Sequence, residues 1–177
     1  MTFKYKIIND KKLIGVKIIK NSFFRDKRGF LYTIYNKSIE KKIIKKRFDN
    51  VDDKIAVKKK NSLTGIHGDK KTWKMISCIH GKVELVLVNC DVNSKKFGQY
   101  IKRNLKGSDC TSILMPPLIG NSYLCLSKEA VIFYKFFYNG KYNDHNDQFT
   151  YSWKDKRFKI NWSVKKNLIL SKRDDIK

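Results

Sequence analysis

The residue whose type and setting could best support chemistry is His67. It lies in a glycine-flanked stretch just before two apolar runs, 73–79 and 82–89, which the turn pair His80-Gly81 joins. We predict that the two runs form a hairpin and that His67 stands in a loop held against it. Histidine can take up and return a proton near neutral pH, and loops on rigid scaffolds often carry such groups. A lone loop histidine is more often an ordinary residue, so its role depends on partners elsewhere in the chain.

Residues that bind metals or form disulfides are dispersed along the sequence. His67, His80 and His145 are far apart, and none of the four cysteines belongs to a C-x-x-C pair. The cysteines lie in or beside apolar runs (Cys78, Cys90, Cys110 and Cys125). We therefore expect no metal site, and we expect buried, reduced thiols in a cytoplasmic protein.

Length and composition fit one domain over residues 1–177. A chain of this size with 41% hydrophobic residues has enough apolar surface for a core, since it can bury roughly 70% of the surface of its unfolded form. The longest apolar runs have the length of a strand, well short of the ~20 residues of a membrane-spanning helix. The first ten residues lack the apolar centre of a signal peptide. We therefore expect no contact with a membrane.

The formal net charge of +24 suggests nucleic-acid binding, but the composition argues against it. The basic residues are 34 lysines spread over the whole length and only 6 arginines, although arginine is better suited to forked phosphate contacts. The lysines accompany many Ile, Asn, Phe and Tyr and only two alanines, which is the bias of codons rich in A and T. We favour a phosphate-bearing small molecule, such as a nucleotide diphosphate, over DNA or RNA.

The elements that must position His67 are mostly strands. Strands are predicted in residues 1–20 near a sheet edge and at 30–36, 54–60, 99–105, 111–115, 122–126, 130–137 and 148–153. The one good helix prediction is 38–47, with Ser38 as its N-cap. Many short strands with little helix predict an all-β sandwich or barrel. Runs that are apolar on both faces predict a sheet covered on both sides, with a second subunit as one candidate cover.

Six short motifs occur along nearly the full chain. They are F-x-D-x-R-G at 24–29, G-I-H at 65–67, a lysine leading into a G-x-V turn at 74–83, Y-K at 134–135, I-x-W at 160–162 and L-S-x-R-D at 170–174. In type and in order, these motifs resemble the dTDP-4-dehydrorhamnose 3,5-epimerase family. The resemblance implies a jelly-roll cupin with a short helix and an irregular C-terminal tail. It also implies a homodimer that exchanges its N-terminal strands.

Four further motifs look like the branch of this family that acts on GDP-4-keto-heptoses in bacterial capsular polysaccharide synthesis. They lie at 67–74, 116–122, 138–142 and 147–153. Thr33 also stands where thymidine-linked members carry a glutamate, which agrees with a different base. The resemblance therefore implies a GDP-linked 4-keto sugar as substrate.

The resemblance implies a role for four residues in moving a proton beside a ketone. His67 would be the base, oriented by Asp174, which also stabilises the imidazolium. Lys74 would hold the negative charge of the enolate near the C4 oxygen, and Tyr134 would return a proton from the far side. The reaction needs neither a metal nor a cofactor. Without the family, Tyr134 would be interpreted as an ordinary core tyrosine, Lys74 as a solvated lysine and Asp174 as part of a frayed tail.

Six further residues are assigned to substrate binding by the same resemblance. Arg28 and Phe24 would hold the nucleotide of a neighbouring subunit, with an ordinary surface turn as the equal alternative. The others belong to or replace family motif positions (Asp69, Asn121, Thr64 and Tyr123).

The sequence departs from the family near this site. Thr64 replaces an arginine, Tyr123 replaces a histidine, and Val57 and Lys58 occupy strand positions where relatives tend to place asparagine and serine. Such changes could restrict the reaction to C3 or mark an inactive relative. Because the four proton-transfer residues are present, we predict an active epimerase that inverts C3, with C5 as an open second position. The alternatives are a cupin sugar ketoisomerase and a non-catalytic basic binding protein on the same scaffold.

Overall fold

The structure is a computed structural model that describes residues 4–175, except for the side chains of Ile39 and His145. The ends of the predicted domain and of the polar tail, at 1–3 and 176–177, lie outside the described residues. The strands are β1 (Tyr5–Asn9), β2 (Lys17–Asn21), β3 (Phe23–Asp26), β4 (Gly29–Tyr32), β5 (Asn50–Lys59), β6 (Ile66–Gly68), β7 (Trp73–His80), β8 (Lys82–Asn89), β9 (Tyr100–Lys106), β10 (Thr111–Met115), β11 (Ile119–Cys125), β12 (Glu129–Tyr138) and β13 (Phe149–Tyr151). The all-β prediction is confirmed.

The strands form two large antiparallel sheets and one separate hairpin. The six-stranded sheet has the order β1-β2-β10-β7-β12-β5, and the five-stranded sheet has the order β13-β6-β11-β8-β9. β1 is at an edge, as predicted, and β3 pairs only with β4. The two large sheets face each other across a core of aliphatic side chains contributed by both.

The predicted hairpin of β7 and β8 is wrong. β7 pairs with β10 and β12, whereas β8 pairs with β11 and β9, so the two strands belong to different sheets. Gly81, which joins them, has a φ of 74°, and a Cβ there would lie 2.1 Å from the carbonyl oxygen of Glu129. The chain therefore makes a tight corner that only glycine allows, and it crosses from one sheet to the other instead of folding back beside itself.

His67 lies in a strand rather than in the predicted loop. It is the central residue of β6, where it pairs with Asn121 of β11 and with Thr150 of β13. The strand is only three residues long, so its sequence carries no visible alternation. Backbone pairing on both sides holds His67 more firmly than a loop would.

The predicted helix at 38–47 is shorter and begins earlier. One α-helical turn, α1 (Lys37–Ile39), continues as a π-helix over Glu40–Ile44. The N-cap is Asn36, whose side-chain oxygen accepts a hydrogen bond from the backbone N–H of Ser38. A second short helix, α2 (Asp144–Asp147), was not predicted.

The outer faces of both large sheets are partly covered by this chain itself. Phe158 and Trp162 of the irregular C-terminal segment pack on the five-stranded sheet, and Ile43 and Ile44 pack on the six-stranded sheet. A second subunit is therefore not needed to explain the doubly apolar β8. All four cysteines are buried and free, as predicted. Within residues 4–175, no helix has the length and apolar character needed to cross a membrane.

Candidate active site

A cavity of about 380 Å³ is lined by residues of both large sheets. The predicted site residues that line it are His67, Lys74, Tyr134, Thr64, Asn121 and Tyr123. They come from four separate stretches of sequence, at 64–67, 74, 121–123 and 134. The topology thus brings most of the residues singled out by motif into one space.

His67 has a protein partner at each ring nitrogen. Its Nε2 lies 2.7 Å from Oδ1 of Asp174, and its Nδ1 lies 3.1 Å from the hydroxyl of Thr150. The Thr150 oxygen also accepts a hydrogen bond from Nε of Arg173, which can only donate. The hydrogen of Thr150 is therefore available to Nδ1, and a carboxylate beside Nε2 favours the tautomer with its proton on Nε2.

Asp174 is buried behind His67, at 5% exposure. Burial alone would raise the pKa of this carboxyl, but the close approach of His67 and a hydrogen bond from the hydroxyl of Ser171 outweigh burial and hold the pKa below its ordinary value. Gly65 is needed for this approach, because a Cβ there would lie 2.8 Å from Oδ1 of Asp174. Asp174 is thus an ionised partner for His67, and it does not belong to a frayed tail.

Lys74 forms a buried ion pair with Asp69, 2.8 Å from Nζ to Oδ2. Burial lowers the pKa of Lys74, and the Asp69 carboxylate only partly offsets this effect. Asp69 also accepts hydrogen bonds from the backbone and hydroxyl of Thr72 and from the hydroxyl of Tyr142. Asp69 therefore fixes Lys74 and is not among the residues that line the cavity, and its predicted contact with the substrate stays a prediction.

Lys74 and a second lysine, Lys54, both lie against the aromatic ring of Phe136. The Nζ of Lys74 lies 4.9 Å from the ring centre of Phe136, and the Nζ of Lys54 lies 4.6 Å from it. Lys54 pairs in turn with Asp144 of α2. Each ammonium group is therefore held by a carboxylate of its own and by the shared aromatic ring of Phe136.

Tyr134 keeps its proton at neutral pH. Burial raises its pKa well above the ordinary value, and neighbouring Tyr123 raises it further, while Asn121 acts in the opposite direction. Burial also raises the pKa of Tyr123 to about 12. Two protonated tyrosines thus stand next to each other in the cavity wall.

Thr64 is hydrogen-bonded to β11, the strand that carries Asn121 and Tyr123. The hydroxyl of Thr64 accepts a hydrogen bond from the backbone N–H of Tyr123 at 3.1 Å. Its carbonyl accepts one from the hydroxyl of Ser122 at 2.6 Å. Thr64 therefore lines the cavity as a neutral residue engaged with β11.

Arg28 and Phe24 are not brought into the cavity within this chain. They lie on the separate β3–β4 hairpin, where the guanidinium of Arg28 pairs with Asp26 at 2.6 Å and is largely exposed. Phe24 is 52% exposed. Their predicted contact with a neighbouring subunit's nucleotide stays a prediction.

Comparison with known proteins identifies the fold and the family. The chain superposes on the crystal structure of dTDP-6-deoxy-D-glucose-3,5-epimerase from Legionella pneumophila Philadelphia 1, in complex with dTDP-4-keto-L-rhamnose, with a TM-score of 0.87 and 25% identity, covering 97% of this chain and 90% of that one. It also superposes on dTDP-4-dehydrorhamnose 3,5-epimerase from Elizabethkingia anophelis NUHP1, with a TM-score of 0.81 and 26% identity, covering 96% and 93%. These likenesses confirm the jelly-roll cupin prediction.

The sequence model described as dTDP-4-dehydrorhamnose 3,5-epimerase matches residues 10–177. The chain belongs to the dTDP-4-dehydrorhamnose 3,5-epimerase family. The Escherichia coli (strain K12) member is 30% identical over 163 residues, which cover 90% of this chain and 86% of the relative. The Salmonella typhimurium member is 28% identical over 162 residues, covering 90% and 87%. The chain is thus an isomerase of the epimerase type, while its closeness to the GDP-heptose branch is not established by these relatives.

Several cavity residues of this family member were not assigned from the sequence. They are Lys54, Lys58, Phe136, Asp144, Gln148 and Arg173. Gln148 and Arg173 stand inside motifs already noted for the family, and the period of two along β5 would have placed Lys54 and Lys58 on one face.

Among the described residues, no three His, Cys, Asp or Glu side chains come together as metal ligands.

Proposed function

We propose that this chain epimerises a nucleotide-linked 4-keto sugar by removing a proton beside the ketone and returning one from the opposite face. The observation that carries the proposal is the position of His67 and Tyr134. They come from different sheets and line the same cavity, and the buried Lys74 on β7, beside the strand of Tyr134, lines it as well. Inversion of a carbon requires a base and an acid on opposite faces of the sugar.

His67 is the proposed base. With its proton on Nε2 beside Asp174, its lone pair is on Nδ1, to which the hydroxyl of Thr150 donates. Thr150 has to turn this hydrogen away when the substrate transfers its proton. The resulting imidazolium is stabilised by Asp174, whose pKa is below the ordinary value.

Lys74 and Tyr134 are the proposed oxyanion partner and acid. When the C–H bond breaks, its electrons move to the C4 oxygen, and a nearby ammonium can stabilise the charge by several kcal/mol. Tyr134 then gives its proton to the carbon from the other face. Its raised pKa ensures that this proton is present at neutral pH.

We further propose a GDP-linked 4-keto-heptose as the substrate, used in bacterial capsular polysaccharide synthesis in the cytoplasm. The support is the set of branch-like motifs at 67–74, 116–122, 138–142 and 147–153. The curated relatives are all named for dTDP-linked chemistry, so a dTDP-linked 4-keto sugar is the alternative that any test must include.

We also propose that residues 1–177 act as a single-domain subunit of a homodimer. The β3–β4 hairpin joins neither large sheet and exposes Phe23, Phe24, Phe30 and Leu31. A two-stranded sheet is marginal alone in water, so these side chains are suited to cover by a second copy. An exchanged N-terminal strand would carry Arg28 and Phe24 to the partner's nucleotide.

The test is to incubate the protein in D2O with GDP-4-keto-heptose and, in parallel, with a dTDP-linked 4-keto-6-deoxy sugar, and to follow the sugar protons by NMR. Loss of the H3 signal alone makes it a C3 epimerase, and loss of H3 and H5 makes it a C3/C5 enzyme. A product whose carbonyl has moved to C3 identifies a ketoisomerase instead. Absence of exchange with both substrates overturns the proposal.

Replacing His67 with Asn should abolish entry of deuterium into the substrate, because Asn cannot accept the proton. His80→Asn, at the corner between β7 and β8, is the matched control and should retain full exchange. Undiminished exchange in His67→Asn would reject His67 as the base.

A further inference from the structure

One face of β5 carries charge into the cavity. The burial of this strand alternates strictly, with Lys54, Ala56 and Lys58 half-buried and Val57 and Lys59 exposed. All three half-buried residues line the cavity, and Ile55, although it belongs to the exposed face, borders it as well. Lys54 and Lys58 are four residues apart, about 13 Å along an extended strand, so they reach different ends of the cavity.

The four cations of the cavity fall into two pairs that differ in their partners. Lys54 is neutralised by Asp144 and Lys74 by Asp69. Lys58 and Arg173 have no ion pair with a carboxylate of residues 4–175. Arg173 donates instead to neutral oxygens of Thr150 and Gln148. Two positive charges in the cavity thus lack a counter-ion within the described chain.

Lys58 borders the same end of the cavity as Thr64. The carbonyl oxygen of Lys58 lies 3.4 Å from the thiol sulfur of Cys125 on β11. Thr64 bonds to the backbone of Tyr123, two residues earlier on that strand. Thr64 stands where the family motif has arginine, and its own side chain is neutral. Lys58, on β5 of the opposite sheet, therefore supplies a cation to the cavity in which position 64 has none.

We propose that Lys58, together with Arg173, binds the diphosphate of the substrate and replaces the cation that the family carries at position 64. The sugar diphosphate bridge carries two negative charges, which equals the number of unpaired cations in the cavity. The paired Lys74 remains at the reacting end. This inference rests on the proposed function, because it takes the substrate to be a nucleotide sugar.

The experiment measures the affinity of free GDP, free dTDP and inorganic pyrophosphate by titration calorimetry. Lys58→Gln should weaken the binding of at least one nucleoside diphosphate and of pyrophosphate by about tenfold, as expected for losing one charge-assisted contact. Lys58→Arg should restore the affinity. Guanosine and thymidine lack phosphate, so their binding should not change.

Lys59→Gln is the matched control, because the next residue of β5 points to the exposed face. It removes the same charge from the same strand and should leave all three affinities unchanged. With the epimerisation substrate, Lys58→Gln should raise KM by about tenfold and leave kcat nearly unaltered, because Lys58 contacts a part of the substrate that does not react.

Failure of this inference is distinguishable from failure of the proposed function. Equal affinities for Lys58→Gln and Lys59→Gln, or a wild-type protein that binds none of the three phosphates, overturn the role of Lys58. A tenfold effect on diphosphate binding without any sugar-proton exchange would retain Lys58 as a diphosphate ligand and overturn the epimerase.

Discussion

At the scale of single residues, the charge of Lys74 depends strongly on the carboxylate of Asp69. Burial and, to a smaller extent, the nearby Lys54 lower the pKa of Lys74, whereas Asp69 and Asp144 raise it. Replacing Asp69 with Asn removes the larger of the two raising charges, so the pKa of Lys74 should fall further. The protonated form of Lys74 stabilises the oxyanion. The alkaline decrease of kcat/KM should therefore begin at a lower pH in Asp69→Asn than in the wild type.

The measurement is the pH profile of kcat/KM for the wild type and Asp69→Asn, with circular dichroism to verify folding. Asp155→Asn is the control, since Asp155 pairs with Arg157 outside the cavity. An alkaline limb that stays in place in Asp69→Asn would show that Asp69 does not control the charge of Lys74.

The sequence predicted most of the residues that meet in the cavity, but not how they are partnered. Motifs singled out His67, Lys74 and Tyr134, and the resemblance of these motifs to a known family implied that the three residues share one site. Asp69 was assigned to the substrate, although its carboxylate is fully used by protein donors. Thr150 was passed over because a threonine acquires significance only from what lies beside it, here the Nδ1 of His67.

At the scale of elements, the turn that leads into β6 requires a glycine at position 65. A Cβ at Gly65 would lie 2.8 Å from Oδ1 of Asp174 and 3.2 Å from the carbonyl oxygen of Tyr151. Gly65→Ala should therefore displace Asp174 from His67 and lower kcat by roughly 10- to 100-fold, the effect of a misplaced catalytic group.

The control for Gly65→Ala is a double-mutant cycle with Asp174→Ala. Once the carboxylate is absent, the added methyl has less to collide with, so the double variant should be hardly slower than Asp174→Ala alone. Full additivity of the two losses would mean that Gly65 acts through the backbone of β13 and not through Asp174.

The strands themselves were predictable within a few residues, because apolar runs and turn residues define them locally. β10 lies where the sequence put it, at 111–115, and β5 starts four residues earlier than predicted. Partnering was not predictable, since β7 and β8 are adjacent in sequence and each finds its neighbours elsewhere. The residues around Gly81 indicate a tight turn, but they do not distinguish a hairpin from a connection between two sheets.

At the scale of the whole molecule, the outer face of β5 is an apolar surface at a sheet edge. Val51, Ile55 and Val57 are 45%, 65% and 59% exposed. If this surface and the β3–β4 hairpin form the proposed dimer, Val57→Asp should shift the protein from dimer to monomer, since it would bury a charge without a partner.

Sedimentation at micromolar concentration measures this shift. Val92→Asp is the control, because Val92 is 69% exposed and lies in the segment after β8, away from this surface. A wild-type protein that is already monomeric, or a Val57→Asp variant that stays dimeric, would contradict the assignment of β5 to the interface.

The strict alternation of β5 also limits how its gene can change. One face holds Lys54, Ala56 and Lys58 for the cavity, and the other presents Ile55, Val57 and Lys59. Deleting a single codon within the strand would exchange the two sets for all residues on one side of the deletion. Lineages of this protein should therefore diversify β5 by point substitution, and length differences between them should accumulate in the turns at its two ends.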